Sequence, residues 1–339
     1  MLVTKDARYD PRVSKERKSL VMAGYDVKVM GIREKGKVGM LSILKRLARH
    51  QLGWFIQSHK EQHDYIHAHD FDTLPMGVLI SKLKGVPLVY DAHESYSDMV
   101  SNKLPEDMTR MMKWLEHKLT RHTSKIILAN KKIGPLISDE PDKWIVVMNC
   151  VGDLKGVKAP SNGNGFTIGY FGSLEKGRFV QDLIESVKMA RDWQLVIAGR
   201  GSLQLKGLDD PRIKHLGYVD SNEVHNLMAG CDLLSVMFED GNANDRIGTP
   251  NRLFEAMALG VPVVANWNSY SGEITKETDC GFTIAPNMFP LKDLLEYLSK
   301  YPDEMKDKGN AGHKAWEAEY NWETQEQKLI ALYEELKVK

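Results

Sequence analysis

From Gly248 to Ala265 the chain reads Gly-Thr-Pro-Asn-Arg-Leu-Phe-Glu-Ala-Met-Ala-Leu-Gly-Val-Pro-Val-Val-Ala. That order specifies a helix with both ends marked, running into a buried strand. Thr249 suits an N-cap, Pro250 the first helical position and Gly260 the C-terminal stop. Helical spacing sets Leu253, Phe254 and Met257 on one side and Asn251, Arg252 and Glu255 on the other. The apolar side is expected to pack on a sheet, which leaves the polar side facing a cleft.

Arg252 falls in the first turn, where the helix dipole disfavours a cation by a few tenths up to ~1 kcal/mol. A bound anion would reverse that sign, because the free N–H groups of a helix start attract phosphate. Pairing with Asp245 or Asp240 on the preceding loop would also reverse it. On charge alone the two readings stand level.

A buried strand needs neighbours, and the chain supplies them at regular intervals. Strands are expected at 2–4, 25–30, 65–68, 87–91, 126–130 and 144–149, with helices at 11–24 and 73–84 among them. A second series follows at 166–170, 194–198, 213–216, 233–237 and 262–265, and then a helical tail over 290–338. Strands alternating with helices predict α/β structure with parallel sheets. The Gly, Asn and Pro cluster at 152–165 reads as a linker, and 339 residues suffice for two domains. The two halves also echo each other: Gly85-Val-Pro-Leu-Val-Tyr and Gly260-Val-Pro-Val-Val-Ala both run from a helix stop into a strand.

The 46 basic and 46 acidic residues cancel, so nothing draws the whole chain to nucleic acid. Cys150, Cys231 and Cys280 are far apart and odd in number, which suits a reduced, cytoplasmic protein rather than a disulfide framework or zinc site. No signal-peptide pattern opens the sequence, and no apolar run approaches the ~20 residues that span a bilayer. Residues 33–60, however, carry seven Lys or Arg and one Glu among Leu41, Ile43, Leu44, Leu47, Leu52, Trp54, Phe55 and Ile56. That pattern fits a helix packed on a sheet with a solvated charged face, the commoner outcome, or a peripheral contact with an anionic membrane surface. Residues 108–121, with Met111, Met112, Trp114, Lys113 and Lys118, add a second such stretch.

The run Pro-Asn-Arg-Leu-Phe-Glu-Ala-Met-Ala-Leu-Gly-Val-Pro-Val-Val-Ala, Pro250 to Ala265, resembles the donor-site signature of the group 1 (family four) retaining glycosyltransferases. The resemblance implies the GT-B fold: two Rossmann-like α/β domains whose parallel sheets face each other across a cleft. Residues 1–150 would form the acceptor-side domain and 165–320 the nucleotide-sugar-binding domain. Residues 321–339 would form a helix returning to the first domain. It further implies retaining transfer of a sugar from a nucleotide-diphospho-sugar to a glycan or lipid-linked acceptor, with neither cofactor nor metal.

The same resemblance assigns residues. In Gly169-Tyr-Phe-Gly172-Ser173-Leu-Glu-Lys176-Gly177-Arg178 it sets Gly172 and Lys176 around the donor diphosphate. Ser173 stands where the family has arginine, so Arg178 or Arg252 would supply the missing charge. Glu255 would accept from the ribose hydroxyls, Asn251 is a further donor-binding candidate, and the backbone amides around Gly248 and Thr249 are one route to recognition of the sugar's own hydroxyls. The partner glutamate eight residues earlier is Ile247 here, and Asp240, Asn244 or Asp245 is expected to substitute. His93, in Asp91-Ala-His-Glu94, ends a parallel strand, where ligands collect, and matches the family's cleft histidine at the reacting centre.

Other motifs are weaker. Arg12, in Asp10-Pro-Arg-Val13, is an acceptor-side candidate by resemblance, although charge solvation at a helix start explains it as well. His67 and His69 share one face of a strand, which can suit a metal, but the sequence offers no third ligand. Asp70-Phe-Asp72 reads as helix capping and cleft lining, with His69 and Asp70 on the acceptor side and no metal. Gly199-Arg-Gly201 lacks the third glycine and ribose-binding acid of a dinucleotide fingerprint, so NAD is excluded. Beside the transferase stand an epimerase or phosphorylase of the same architecture, and a degenerate, non-catalytic nucleotide-binding protein favoured by Ile247 and Ser173.

Overall fold

The computed structural model describes residues 1–3, 10–31, 51–58, 60–101, 104–159, 165–190, 192–239, 241, 243–285 and 289–337. The chain forms two compact units, Met1–Asn149 with Gln325–Lys339, and Cys150–Thr324.

Among the described residues of the first unit, six strands make one sheet: β1 (Leu2–Val3), β2 (Met30–Gly31), β3 (Ile66–His69), β4 (Leu88–Ala92), β5 (Lys125–Leu128) and β6 (Trp144–Val146). Their order is β2-β1-β3-β4-β5-β6 and every pairing is parallel. Leu88, Val89, Tyr90, Ala92, Ile126, Ile127 and Leu128 are fully buried, as expected of strands covered on both faces by crossover helices. The Pro11–Met22 helix is capped by Asp10, whose carboxylate accepts from the backbone of Arg12 and Val13. The last helix, Trp322–Lys337, completes this core. Tyr333 packs its ring 5.4 Å from Tyr25 and 5.3 Å from Tyr65, and Gln325 accepts from the Met148 amide at 3.0 Å.

The second unit holds β7 (Phe166–Phe171), β8 (Trp193–Ala198), β9 (Ile213–His215), β10 (Leu233–Ser235), β11 (Val263–Asn266) and β12 (Gly281–Ile284). They pair in the order β12-β11-β10-β7-β8-β9, again all parallel. Ile168, Leu195 and Ile197 meet Leu183, Ile184 and Val187 of the Val180–Met189 helix and Leu295 of the Phe289–Leu298 helix in one core.

Several local expectations are corrected. The strand expected at 25–30 shrinks to Met30–Gly31, because its only described partner, β1, offers two residues. The edge strand β12 was not foreseen; it is four residues long, mixed in polarity and half-buried along most of its length. The helix of the 248–265 stretch starts at Asn251, and Pro250 is its cap, with ψ at 138°. An extended Pro250 cannot be the first helical residue, and Thr249 therefore lies outside capping reach. The apolar side behaves as expected, with Leu253, Phe254 and Met257 buried. Most of the basic stretch, residues 33–50 and 59, lies outside the described residues. Residues 51–58 are helical, with Trp54 buried and Leu52 and Ile56 exposed.

One buried acid gives the first unit a pH dependence. Glu116 is 1% exposed and accepts a hydrogen bond from the Tyr90 hydroxyl at 2.5 Å. Burial pushes its pKa up to about 8 from 4.5. The folded value lies above the unfolded one, so its contribution to stability is full below pH 4.5 and is lost as pH rises through 8. Glu116→Gln is therefore expected to flatten the fall in thermal midpoint between pH 5 and about 8.5. The difference from wild type should be on the order of a few kcal/mol across that range. Parallel midpoint curves for the two proteins would contradict this account.

Candidate functional site

In the second unit the residues that follow β7 and β10 surround a hollow of about 270 Å³. Gly172, Ser173 and Arg178 line one side, Ser235 to Phe238 another, and Pro250, Asn251, Arg252 and Glu255 a third. The Tyr170 hydroxyl donates to the Ser173 carbonyl at 2.6 Å. The Phe238 amide is fixed by the Asn266 side chain at 2.7 Å. Arg178 Cζ lies over the Phe238 ring, 4.0 Å from its centroid. That stacking holds a cation at the rim while leaving its N–H groups free to bond.

The glycines of Gly199-Arg-Gly201 let two backbone segments of this loop meet. A Cβ at Gly199 would meet the Gly172 carbonyl oxygen at 1.7 Å, and one at Gly201 the Leu174 carbonyl oxygen at 1.9 Å. Only bare backbone can approach so closely.

The Arg252 guanidinium contacts Glu255, one turn on. Glu255 also lies 3.7 Å from His225 Nε2. Burial opposes its ionisation, but His225 and Arg252 outweigh burial and hold its pKa below the usual value. His225 belongs to no motif; it arrives on the Ser221–Ala229 helix through a contact 30 positions away. Lys176 is exposed. Neither it nor Gly248, Thr249, Asn244 or Asp245 lines the hollow, and Asp240 lies outside the described residues. The Gly248 carbonyl instead accepts from Ser271 at 3.0 Å.

In the first unit a charge cluster gathers at the ends of β3 and β4. His93 is held between two carboxylates, with Nδ1 3.2 Å from Asp70 Oδ2 and Nε2 3.2 Å from Asp91 Oδ2. Burial disfavours its cation, but Asp70 and Asp91 outweigh burial and raise its pKa well above the ordinary value. Asp70 adopts a left-handed backbone, φ 62°, and accepts from the His93 amide at 3.2 Å. It therefore orients His93; the N-cap of the Leu74–Lys84 helix is Thr73, which makes no side-chain cap.

Beneath His93 lie residues that are not available to an acceptor. Arg12 is 3% exposed, which overturns the expectation of solvation at a helix start. It donates to both oxygens of Asp91, at 3.0 and 2.7 Å, and to the Val147 carbonyl at 2.9 Å. Burial raises the Asp91 pKa, but Arg12 and the three histidines pull it well below normal. His69 is likewise buried. The missing third and fourth partners of His67 and His69 are now visible: Glu16 and Asp91 bring ligand-type atoms within 4.8 Å of both rings. Burial pushes the Glu16 pKa well up and takes that of His67 down to about 3.

Two α/β units with all-parallel sheets, the last helix closing the first, define the GT-B architecture. Residues 165–299, within the second unit, match the family model described as glycosyl transferases group 1. Solved structures agree on the fold. HepE of Anabaena, in complex with UDP and glucose, is 16% identical over 98% of both chains, with a TM-score of 0.72. Sucrose-phosphate synthase of Thermosynechococcus elongatus is 13% identical over 99% of both, at 0.78. The lipopolysaccharide outer core galactosyltransferase WaaB is 13% identical over 98% of both, at 0.65. No curated protein matches the chain in sequence.

Removing Arg12 leaves Asp91 as a buried charge without its main partner. Arg12→Ala is expected to cost about 3–5 kcal/mol, read from urea unfolding midpoints. A loss under about 1 kcal/mol would show that the ion pair is not what holds Asp91.

Proposed function

We propose that the chain transfers a sugar, with retention and without a divalent metal, from a nucleotide-diphospho-sugar to an acceptor hydroxyl. The observation that carries this reading is the hollow beside Arg178, Arg252 and Glu255, within a domain matched to group 1 glycosyl transferases. That HepE has been solved with UDP and with UDP-glucose supports a nucleotide-sugar as the ligand class.

In this proposal Arg178 and Arg252 grip the diphosphate, the charge that develops as the sugar leaves. The Asn251–Leu259 helix adds its N-terminus, which has no side-chain cap. Glu255, kept ionised by Arg252 and His225, accepts from the ribose hydroxyls. Lys176 is exposed and acts only as a reserve of positive charge over the loop. Ser173 and Ile247 depart from the family pattern, so the sugar's own hydroxyls are bound by other groups. His93, from the first unit, presents an imidazolium braced by Asp70 and Asp91. Such a group donates to an oxygen; it does not act as a base.

The acceptor is proposed to be a glycan or lipid-linked sugar at an anionic membrane surface. On the Glu106–Thr120 helix, Met108, Met111 and Trp114 are 44, 58 and 59% exposed in a row at helical spacing. Lys118 sits 5.8 Å from the Trp114 ring. No described helix is long and apolar enough to cross a membrane.

Thermal-shift titration with UDP, GDP, ADP and CDP in EDTA tests the donor reading. One nucleotide is expected to raise the midpoint. Arg178→Ala and Arg252→Ala should each weaken it roughly ten- to a hundredfold, the worth of one hydrogen bond to a charged group. If no nucleotide shifts the protein, or both variants bind as wild type, the degenerate, non-catalytic reading that Ser173 and Ile247 favour takes its place.

A further inference from the structure

The described residues hold one group of ligand-type side chains that the transfer reaction does not use. Glu16 comes from the Pro11–Met22 helix, His67 and His69 from one face of β3, and Asp91 from β4; all four are buried. The two imidazoles stack with centroids 4.2 Å apart and planes within 11°. Their Nε2 atoms lie 3.8 and 3.9 Å from the same oxygen, Glu16 Oε2. These separations are too long for hydrogen bonds. Glu16 Oε2, His67 Nε2 and His69 Nε2 are all buried without a hydrogen-bond partner. Three orphaned polar atoms converging on one point are unusual in a folded interior.

We propose that Glu16 Oε2, His67 Nε2 and His69 Nε2 bind one divalent transition-metal ion, of which Zn²⁺ is the type. Two imidazoles and a carboxylate are a zinc-type donor set. Bonds of about 2.0–2.2 Å set tetrahedral neighbours about 3.3–3.6 Å apart, so the two distances to Glu16 need close by a few tenths of an ångström, and one imidazole must turn out of the stack to bring both in-plane lone pairs onto the ion.

The surrounding shell orients these donors. His67 Nδ1 is 2.8 Å from the Tyr333 hydroxyl and His69 Nδ1 is 3.1 Å from Asp91 Oδ2. A proton on either Nε2 would be buried without an acceptor, whereas a proton on Nδ1 meets an oxygen. Each Nε2 therefore turns a lone pair toward Glu16. A ligating histidine whose other nitrogen is tied to an oxygen is the usual arrangement around a metal. Asp91 is the orienting carboxylate and not a ligand, because its oxygens already accept from Arg12. Arg12 Nε lies 3.0 Å from Glu16 Oε1, which leaves Oε2 for the ion.

The test uses the full chain, refolded with Zn²⁺ and passed over a chelating resin, with metal content measured by mass spectrometry. Wild type is expected to hold about one ion per chain, and Glu16→Gln and His69→Gln at least tenfold less. Co²⁺ in place of Zn²⁺ should give visible absorption bands that the variants lose. Glu16→Gln is nearly isosteric, so circular dichroism matching wild type keeps the comparison valid if the histidine variant misfolds. Wild-type protein without bound metal, or equal metal in wild type and Glu16→Gln, overturns the proposal.

Discussion

Every strand in both sheets runs parallel to its neighbours. A parallel strand can be reached only by a crossover, so all the loops that follow strands leave from one edge. Where the chain sends successive strands to opposite sides, those loops part and leave a crevice. In the second sheet β7 is flanked by β8 and β10, and the hollow opens between the residues after β7 and those after β10. In the first sheet β1 is flanked by β2 and β3. The helix after β1 carries Arg12 and Glu16 to the side chains of β3 and β4. The topology thus decides where chemistry can sit before any side chain is chosen.

The two units treat charge in opposite ways. The first buries an arginine, two acids and two histidines and ties them together within about 4 Å. Such a cluster is a poor source of net stability, since desolvating each ion costs several kcal/mol that the pairing only offsets. What it fixes is orientation. With Arg12 on both of its oxygens Asp91 cannot turn, and with Asp91 and Asp70 on its two nitrogens neither can His93. The second unit leaves Arg178 and Arg252 half-exposed at the rim of a hollow, where a cation keeps much of its hydration and remains free to meet a ligand.

What the sequence made legible follows the same physics. The 248–265 stretch carries its own periodicity, so its buried and polar sides could be read from spacing alone. The parallel sheets followed from alternation, and β12 escaped because four half-buried residues hold no clear period. Arg12 could not be read, since its partner Asp91 lies 79 residues away and a first-turn arginine normally points to water. His67 and His69 displayed their shared face, but Glu16 is a helix residue 51 positions earlier that looks like any solvated glutamate. Pattern reports which way a side chain points; it does not report which distant element it will meet. His225 beside Glu255 was hidden for the same reason.

The Arg252–Glu255 pair shows how the proposed donor site would couple the two halves of its ligand. The two residues are one helical turn apart, and the Arg252 side chain is 30% exposed. Glu255 is only 12% exposed, so opening the pair costs more than opening a surface bridge, and a doubly charged diphosphate offsets that cost by taking Arg252 for itself. Glu255 then loses one cation but keeps His225 at its side, and so enters the complex still ionised, with an oxygen newly open to a hydroxyl donor. Arrival of the anion would therefore uncover the acceptor for the neighbouring sugar ring. Recognition of the two halves of a nucleotide would be coupled through a single guanidinium, with no movement of the backbone required.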